Sequence, residues 1–205
     1  MSLFEDTYKT IDKPSEGIFR DKGSKFIAYT YPIRNENEIK DILTRLRNDH
    51  PKARHWCYAY RLSPDRTIFR VNDDGEPSGS AGRPILNTLL SNDLTDILAV
   101  VVRYFGGTLL GIPGLINAYK TATQEAISQA EIVEKTLKDV YELRFGYNQM
   151  NDIMRIIKEE ELAVLKQDFD NQCRMEVGIR KIKVNAVIDK LQQTTDMPLQ
   201  YLFTI

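Results

Sequence analysis

Glycine is concentrated in one part of this 205-residue chain. Seven of the eleven glycines lie between Gly75 and Gly114, in two blocks that run Asp73–Pro84 and Arg103–Gly114. Each block precedes an amphipathic helical pattern, and a loop that ends at a helix N-terminus presents free N–H groups. Two such loops favour a surface built from main chain, which suits an anion or another backbone as its ligand.

The composition is that of an ordinary globular protein, with 42% apolar and 28% charged residues. The 28 basic and 29 acidic residues nearly cancel, so bulk charge does not support nucleic-acid binding, although a local basic face stays open. Cys57 and Cys173 have no CxxC spacing, which favours reduced thiols over a disulfide or a zinc site. Without a bilayer-length apolar run or a signal-peptide pattern, we expect a cytoplasmic protein with no membrane partner.

Hydrophobic periodicity predicts an N-terminal domain to residue 132 and a C-terminal domain from 133 to 205. The first contains a hairpin at 54–71, a strand buried on both faces at Ile97–Val102, and a helix from about Pro113. The second has the order β-α-β-β-α-β, which is the ferredoxin-like arrangement. Its predicted segments are 136–145, 148–158, 162–169, 173–179, 184–191 and 199–205. Nothing in this domain has catalytic spacing, so its pattern favours a binding or assembly module.

The first glycine block begins with three carboxylates, Asp73, Asp74 and Glu76. Clustered carboxylates on a loop fit Mg²⁺, which combines few protein oxygens with substrate phosphate. The same residues fit an Asp-Gly turn whose acids are solvated, and this interpretation is the more frequent one. Zinc is less favoured, because the two histidines His50 and His55 have no cysteine pair beside them.

The second glycine block has no carboxylate nearby. Arg103 and Lys120 are the only charges between Asp96 and Glu125. An anion near the Pro113 helix start would meet a favourable dipole and free amides. Tight packing of the helix against a strand explains the glycines equally well.

Basic and aromatic side chains interleave from residue 54 to residue 70. Strand parity places Trp56, Tyr58 and Tyr60 on one face, with His55 and Cys57 on the other. An aromatic face beside arginines suits stacking on bases and contact with phosphates. Aromatic residues on a strand more often face a core, so both interpretations are kept.

These segments, taken together, resemble a known family. The residues from Ala53 to Arg61, the D-D-G-E-P-S-G-x-A-G-x-P block at Asp73–Pro84, and the R-Y-F-G-G block from Arg103 are similar to the IMPACT/YigZ family. The resemblance implies a ribosomal-protein-S5 second-domain fold, shared with a domain of elongation factor G and with GHMP-type kinases. The C-terminal domain resembles that of bacterial members and the ribosome-facing domains of translocating elongation factors. Eukaryotic members regulate translation through an additional partner domain, so their role is not transferred whole.

The chain departs from the family pattern at three positions. Ser80 stands where threonine is usual, which is a mild change. Pro113 stands at a common glycine position and removes an N–H group, and Asn117 stands where a basic residue is frequent. The last two departures weaken the case for an anion at this helix start.

The leading hypothesis is therefore an α+β, two-domain, non-catalytic module that binds RNA, the ribosome or a translation-associated protein. It includes no catalytic residue, metal or cofactor, and it leaves the oligomeric state open. An enzyme acting on a nucleotide or phosphorylated small molecule, and a pure protein-interaction adaptor, are the alternatives. The candidate binding residues are Arg54, His55, Arg61, Asp73, Asp74, Gly75, Glu76, Pro77, Ser78, Gly79, Arg103, Tyr104, Gly106 and Gly107.

Overall fold

The computed structural model describes residues 6–169, 173–194 and 199–205, and this part of the chain is a mixed α/β structure with three sheets. It divides into a first compact unit, residues 8–135, and a second unit, residues 136–205 together with Asp6 and Thr7. The domain boundary expected after residue 132 lies at the start of a strand, Ile132–Thr136. Within the described ranges, no helix combines the length and apolar character that a bilayer crossing requires.

The first unit contains seven strands and three helices. They are β1 (Thr7–Ile11), β2 (Ser15–Asp21), β3 (Ser24–Pro32), α1 (Asn37–Asp49), β4 (His55–Leu62), β5 (Ile68–Asn72), α2 (Gly82–Ser91), β6 (Ile97–Tyr104), α3 (Gly111–Ser128) and β7 (Ile132–Thr136). Five strands form an antiparallel sheet in the order β2-β3-β6-β4-β5, and β1 pairs with β7 in a separate two-stranded sheet.

The central strands β3, β6 and β4 of the five-stranded sheet pack against apolar clusters on both faces. Cys57 and Ala59 of β4 belong to the core cluster that contains the buried side chains of α2 and α3. Trp56, Tyr58 and Tyr60 share the opposite face, where they pack in a second cluster with α1 residues. This alternation follows from the period of two along a strand, and the predicted parity of the three aromatic residues is confirmed. β6 is buried along nearly its whole length, as its apolar run predicted.

Two local features differ from the prediction. The sequence pattern did not indicate β1, a short strand of partly polar residues at Thr7–Ile11. The third helix, predicted from about Pro113, begins two residues earlier, at Gly111, with Leu110 as its N-cap residue. Pro113 is therefore the third helical residue. The first N–H groups of a helix have no intrahelical acceptor, so a proline at this position costs no helical hydrogen bond.

The second unit has the predicted order of elements. They are β8 (Lys138–Phe145), α4 (Met150–Glu159), β9 (Ala163–Phe169), β10 (Cys173–Arg180), α5 (Val184–Thr194) and β11 (Gln200–Thr204). The four strands form an antiparallel sheet in the order β11-β8-β10-β9. The alternating side chains Cys173, Met175, Val177 and Ile179 are buried, and they pack with apolar residues of α4 and α5.

Candidate functional site

One end of the five-stranded sheet gathers both glycine-rich loops. The register pairs His55, the first residue of β4, with Arg103 near the end of β6, and it pairs Lys25 near the start of β3 with Tyr104. The segments that meet there are 21–24, 50–54, 73–81 and 105–110, which we call the loop end. Helices α2 and α3 both begin at this end, so the positive ends of two helix dipoles lie beside it.

The Asp73 carboxylate accepts hydrogen bonds from three backbone N–H groups of the first glycine-rich block. One of its carboxylate oxygens, Oδ1, accepts hydrogen bonds from the backbone N–H groups of Ala81 (3.1 Å) and Gly82 (2.8 Å). The other, Oδ2, accepts from Gly79 N–H at 2.9 Å. The amides that the sequence offered to an external anion, at the start of α2, are therefore satisfied by the protein's own carboxylate.

Asp74 ties the same loop to β4 and α1. Its Oδ2 accepts from the Trp56 backbone N–H at 2.7 Å, and its Oδ1 lies 3.3 Å from an Arg47 guanidinium nitrogen. Its carbonyl oxygen lies 2.8 Å from His55 Nδ1. Since a carbonyl oxygen only accepts, Nδ1 carries the proton, and the bond fixes the orientation of the imidazole ring.

Glu76 lies at the centre of a buried polar network. Its Oε1 accepts from the Arg103 guanidinium at 2.6 Å and from the Tyr119 hydroxyl at 2.8 Å. The Glu76 and Arg103 side chains are only 4% and 6% exposed, so this is a buried ion pair. His55, which is partly exposed, presents Nε2 at 3.9 Å from the same oxygen. The network joins the first loop to β6 and α3.

Two further groups extend this network into the core. The Cys57 thiol lies 3.2 Å from Tyr119 Oη and 3.0 Å from the Asp73 carbonyl oxygen, and its single proton serves one of these acceptors. Burial raises the pKa of Cys57 and the pKa of Tyr119 well above their ordinary values. Both groups are therefore protonated near neutral pH, where Tyr119 donates to Glu76 and neither group acts as a base or nucleophile.

The three carboxylates that the sequence analysis considered as Mg²⁺ ligands each bond to different partners within the protein. Asp73 accepts from backbone amides, Asp74 from Trp56 and Arg47, and Glu76 from Arg103 and Tyr119. Within the ranges that the structure describes, no three metal-ligating side chains come together.

Two predicted surface arginines are buried, and this corrects the expected binding face. Arg61 is 8% exposed, and its guanidinium donates to the Leu94 carbonyl oxygen at 3.3 Å and lies 3.6 Å from Asp93. Arg103 is held by Glu76 and lies over the rings of Phe26 and Phe105, with centroid distances of 5.3 and 5.7 Å. Neither arginine is available to phosphate. Trp56, Tyr58 and Tyr60 of the hairpin pack with α1, which supports the core interpretation of that face.

The second glycine-rich loop needs its glycines for backbone geometry. A Cβ at Gly106 would overlap the backbone of Gly23, and the Gly106 N–H donates to Ser24 Oγ at 3.1 Å. Gly107 has a φ of +88°, although the space around it is open. Tyr104, just before this loop, bonds through its hydroxyl to His50 Nδ1 at 2.8 Å. Gly106 therefore gives clearance for the β2–β3 turn, which differs from the predicted packing of a helix against a strand.

The remaining candidates form the outer surface of the loop end. Gly75, Pro77, Ser78 and Gly79 are exposed, as is Arg54, whose backbone N–H donates to the Arg103 carbonyl oxygen. The sequence reasoning did not select several neighbours that share this exposure. They are the basic side chains of Lys22 and Lys52, the acidic Asp49, and the apolar Phe105 and Leu109.

Tyr119 was also missed, because it was assigned only as an apolar position of the helical pattern. Its hydroxyl is buried, and a buried tyrosine hydroxyl needs a hydrogen-bond partner. That requirement was the available signal, but the partner, Glu76, could not be identified without the fold.

The chain is similar to known proteins over most of its length. Residues 22–127 match the family model described as the Impact N-terminal domain. A Haemophilus influenzae protein named IMPACT family member is 32% identical over 174 residues, which cover 84% of each chain. The Escherichia coli IMPACT family member YigZ is 32% identical over 183 residues, 88% of this chain and 90% of that protein. A crystal structure described as that of a hypothetical protein matches with a TM-score of 0.70 and 30% identity, and it covers 98% of both chains.

Proposed function

The chain belongs to the IMPACT family, as its glycine-rich motifs indicated, and from that premise we propose that it is a cytoplasmic, non-catalytic module that binds RNA on the ribosome through the loop end. The family resemblance implies that eukaryotic members regulate translation. The contact expected here is with the phosphate backbone and with unstacked bases.

The distribution of charge at the loop end carries the proposal. The carboxylates of Asp73, Asp74 and Glu76 accept hydrogen bonds from amides, arginines and a tyrosine of the protein itself. Lys52 and Arg54 beside them are exposed. Asp74 and Glu76 each lie beside an arginine, which compensates their charges and reduces the repulsion that a phosphate would otherwise meet. The exposed cations Lys52 and Arg54 are the groups that would contact a phosphate, on a chain whose net charge is close to zero.

Two further features of the loop end suit single-stranded RNA. Phe105 is 48% exposed and offers a ring face on which a base can stack. Helix α3 begins at this end without a side-chain cap, and its dipole favours a phosphate there, although Pro113 removes one of the free N–H groups. Of the three arginines expected on the binding face, only Arg54 belongs to the surface proposed here. The other basic residues of this surface are Lys22 and Lys52, because Arg61 and Arg103 are buried.

The architecture is compatible with this role. The sheet order β11-β8-β10-β9 fits the ferredoxin-like fold that we propose for the second domain, residues 133–205. For the first domain, residues 1–132, we propose the ribosomal-protein-S5 second-domain fold. Because one fold hosts many functions, these assignments support the proposal less than the charge distribution does.

A pair of charge deletions tests the proposed surface. The variant Lys52→Ala with Arg54→Ala removes two exposed cations of the loop end, and Arg34→Ala with Lys40→Ala removes two exposed cations outside it. Binding of a fluorescein-labelled single-stranded RNA is measured by anisotropy over a series of KCl concentrations. For each lost phosphate contact, the slope of log K against log salt falls by about 0.7. We therefore expect a flatter slope and weaker binding for the first variant only.

Phe105→Ala separates stacking from charge. Loss of one base–aromatic contact weakens binding by about 1–3 kcal/mol and leaves the salt slope unchanged. If both charge variants bind like the original protein, the loop end is not the RNA surface. If no RNA binds even at low salt, the proposed function itself is wrong.

A further inference from the structure

Strand β5 forms an exposed edge of the five-stranded sheet and carries apolar side chains. Phe69 is 55% exposed, Ile68 is 46% exposed and Val71 is 36% exposed. Exposed regular edge strands template pairing with another chain, and proteins usually protect them with charges, bulges or covering elements. Such an apolar edge therefore needs a physical explanation.

The other edge strands also carry exposed apolar side chains, but they differ from β5 in their charged residues or in the regularity of their pairing. At the opposite edge of the same sheet, β2 presents Glu16 and Arg20 at exposed positions. In the second unit, the edge strand β9 carries Lys166 and Asp168 and has a register shift in its pairing with β10. The edge strand β11 has a register shift in its pairing with β8. By contrast, β5 pairs with β4 in regular register from Ile68 to Asn72.

The outer backbone of β5 is open. β5 pairs with β4 on one side, and none of the described backbone groups outside this ladder bonds to residues 68–71. In a strand of an antiparallel pair, half of the N–H and C=O groups point away from the partner strand. These groups are free to pair with an added strand.

The side chains of β5 define the chemistry of such a strand. The register places Phe69 opposite Arg61 and Val71 opposite Ala59, so both project toward the face that α2 covers. Arg70 lies opposite Tyr60 and projects toward the other face. An added strand would therefore meet Phe69 and Val71 on one face, and the Arg70 guanidinium beside the apolar Ile68 on the other.

The guanidinium of Arg70 is the charged group that this edge offers. Arg66, just before the strand, lies 2.8 Å from Asp93 Oδ2, and Arg61 lies 3.6 Å from Asp93 Oδ1. Arg70 is exposed, and no carboxylate among the described residues lies within 4 Å of it. An acidic side chain on the added strand would supply the missing charge.

We propose that β5 is a docking edge for an extended peptide segment of a partner protein in which apolar and acidic residues alternate. The segment adds to the sheet as a sixth strand, its apolar residues pack beside Phe69 and Val71, and its carboxylate pairs with Arg70. A second copy of this chain is a poorer occupant. Arg70 is the central residue of Ile68–Asn72, so symmetric antiparallel self-pairing would place one Arg70 against the other.

A synthetic peptide pair tests this surface. One fluorescein-labelled octapeptide alternates glutamate with valine, and its matched control alternates lysine with valine. Each is titrated to millimolar concentration into the full-length chain, its Arg70→Glu variant, and a matched Arg20→Glu variant at the β2 edge. We expect binding of the glutamate peptide only, weakened about tenfold by Arg70→Glu and unchanged by Arg20→Glu. Amide hydrogen exchange should slow at residues 68–71 when the glutamate peptide is bound.

Several results would overturn the proposal. These are an absence of binding, equal binding of the two peptides, equal losses in the two variants, or slowed exchange only outside residues 68–71. Concentration-dependent dimerisation that buries β5 would assign the edge to a second copy instead. The Lys52→Ala with Arg54→Ala variant should still bind the glutamate peptide, which separates this proposal from RNA binding at the loop end.

Discussion

Replacing Glu76 with glutamine should destabilise the first unit strongly. The substitution keeps the shape of the side chain but removes the charge that compensates Arg103, and both side chains are almost completely buried. Removing one member of a buried ion pair costs about 3–5 kcal/mol, because the remaining charge stays buried without compensation. Arg103→Met should cost a similar amount. It removes the cation beside Glu76, and the hydrogen bond from the Tyr119 hydroxyl does not compensate the buried negative charge.

The double variant, Glu76→Gln with Arg103→Met, provides the decisive comparison. Once both charges are gone, neither is left uncompensated, so its cost should be smaller than the sum of the two single costs by about 1–3 kcal/mol. Such a coupling would show that the two residues act as one buried pair. It would also show that their main contribution is to hold the first glycine-rich loop against β6.

Urea unfolding followed by tryptophan fluorescence measures these costs selectively. Trp56 is the only tryptophan of the chain and lies on β4, so its signal reports the first unit. With a urea dependence of about 1–3 kcal/mol per molar, a loss of about 4 kcal/mol lowers the midpoint by about 2 M. Single costs below about 1 kcal/mol, or a double cost equal to their sum, would refute the account of a buried, coupled pair.

Three other substitutions test different parts of the structure. Asp73→Ala should cost about 1–3 kcal/mol in the same urea assay, because three loop and helix amides lose their acceptor, and an Asp73→Asn variant should recover part of the loss. Gly106→Ala should destabilise by more than about 3 kcal/mol because its Cβ would overlap backbone, whereas Gly107→Ala should cost only about 1 kcal/mol for its positive φ; equal costs would contradict this assignment. The side-chain hydrogen bond from Arg180 lowers the pKa of Asp6 below its usual value of 3.8, so the stability from this pair is present above about pH 4 and declines as the pH falls further. Asp6→Asn should flatten that decline in acid titrations followed by circular dichroism, and an unchanged profile would contradict the role of the pair.

Much of the fold could be predicted because it depends on local periodicity. The alternation of Trp56, Tyr58 and Tyr60 with smaller residues fixed the faces of β4, and the apolar run at Ile97–Val102 identified the central strand. β1 was missed because its short, partly polar segment is stabilised by pairing with β7, which lies far along the chain. A short stretch of sequence around β1 therefore does not reveal this pairing.

The candidate site was harder to predict, because its residues act through distant partners. The Asp-Gly turn indicated a loop, but the bonds from Ala81 and Gly82 to Asp73 exist only once the loop folds back on itself. Arginines are usually exposed, so the sequence favoured surface roles for Arg61 and Arg103. Their burial depends on acceptors supplied by other segments, which explains why Arg54 alone of the three predicted arginines is exposed.

Co-sedimentation of the purified chain with ribosomes, across a series of salt concentrations, tests the proposed function most directly. If the loop end binds ribosomal RNA, the chain should pellet with ribosomes at low salt, and the bound fraction should fall steeply as salt rises. The Lys52→Ala with Arg54→Ala variant should be released at lower salt than the Arg34→Ala with Lys40→Ala control. Absence from the ribosome pellet at the lowest salt concentration, or identical release of the two variants, would contradict this account.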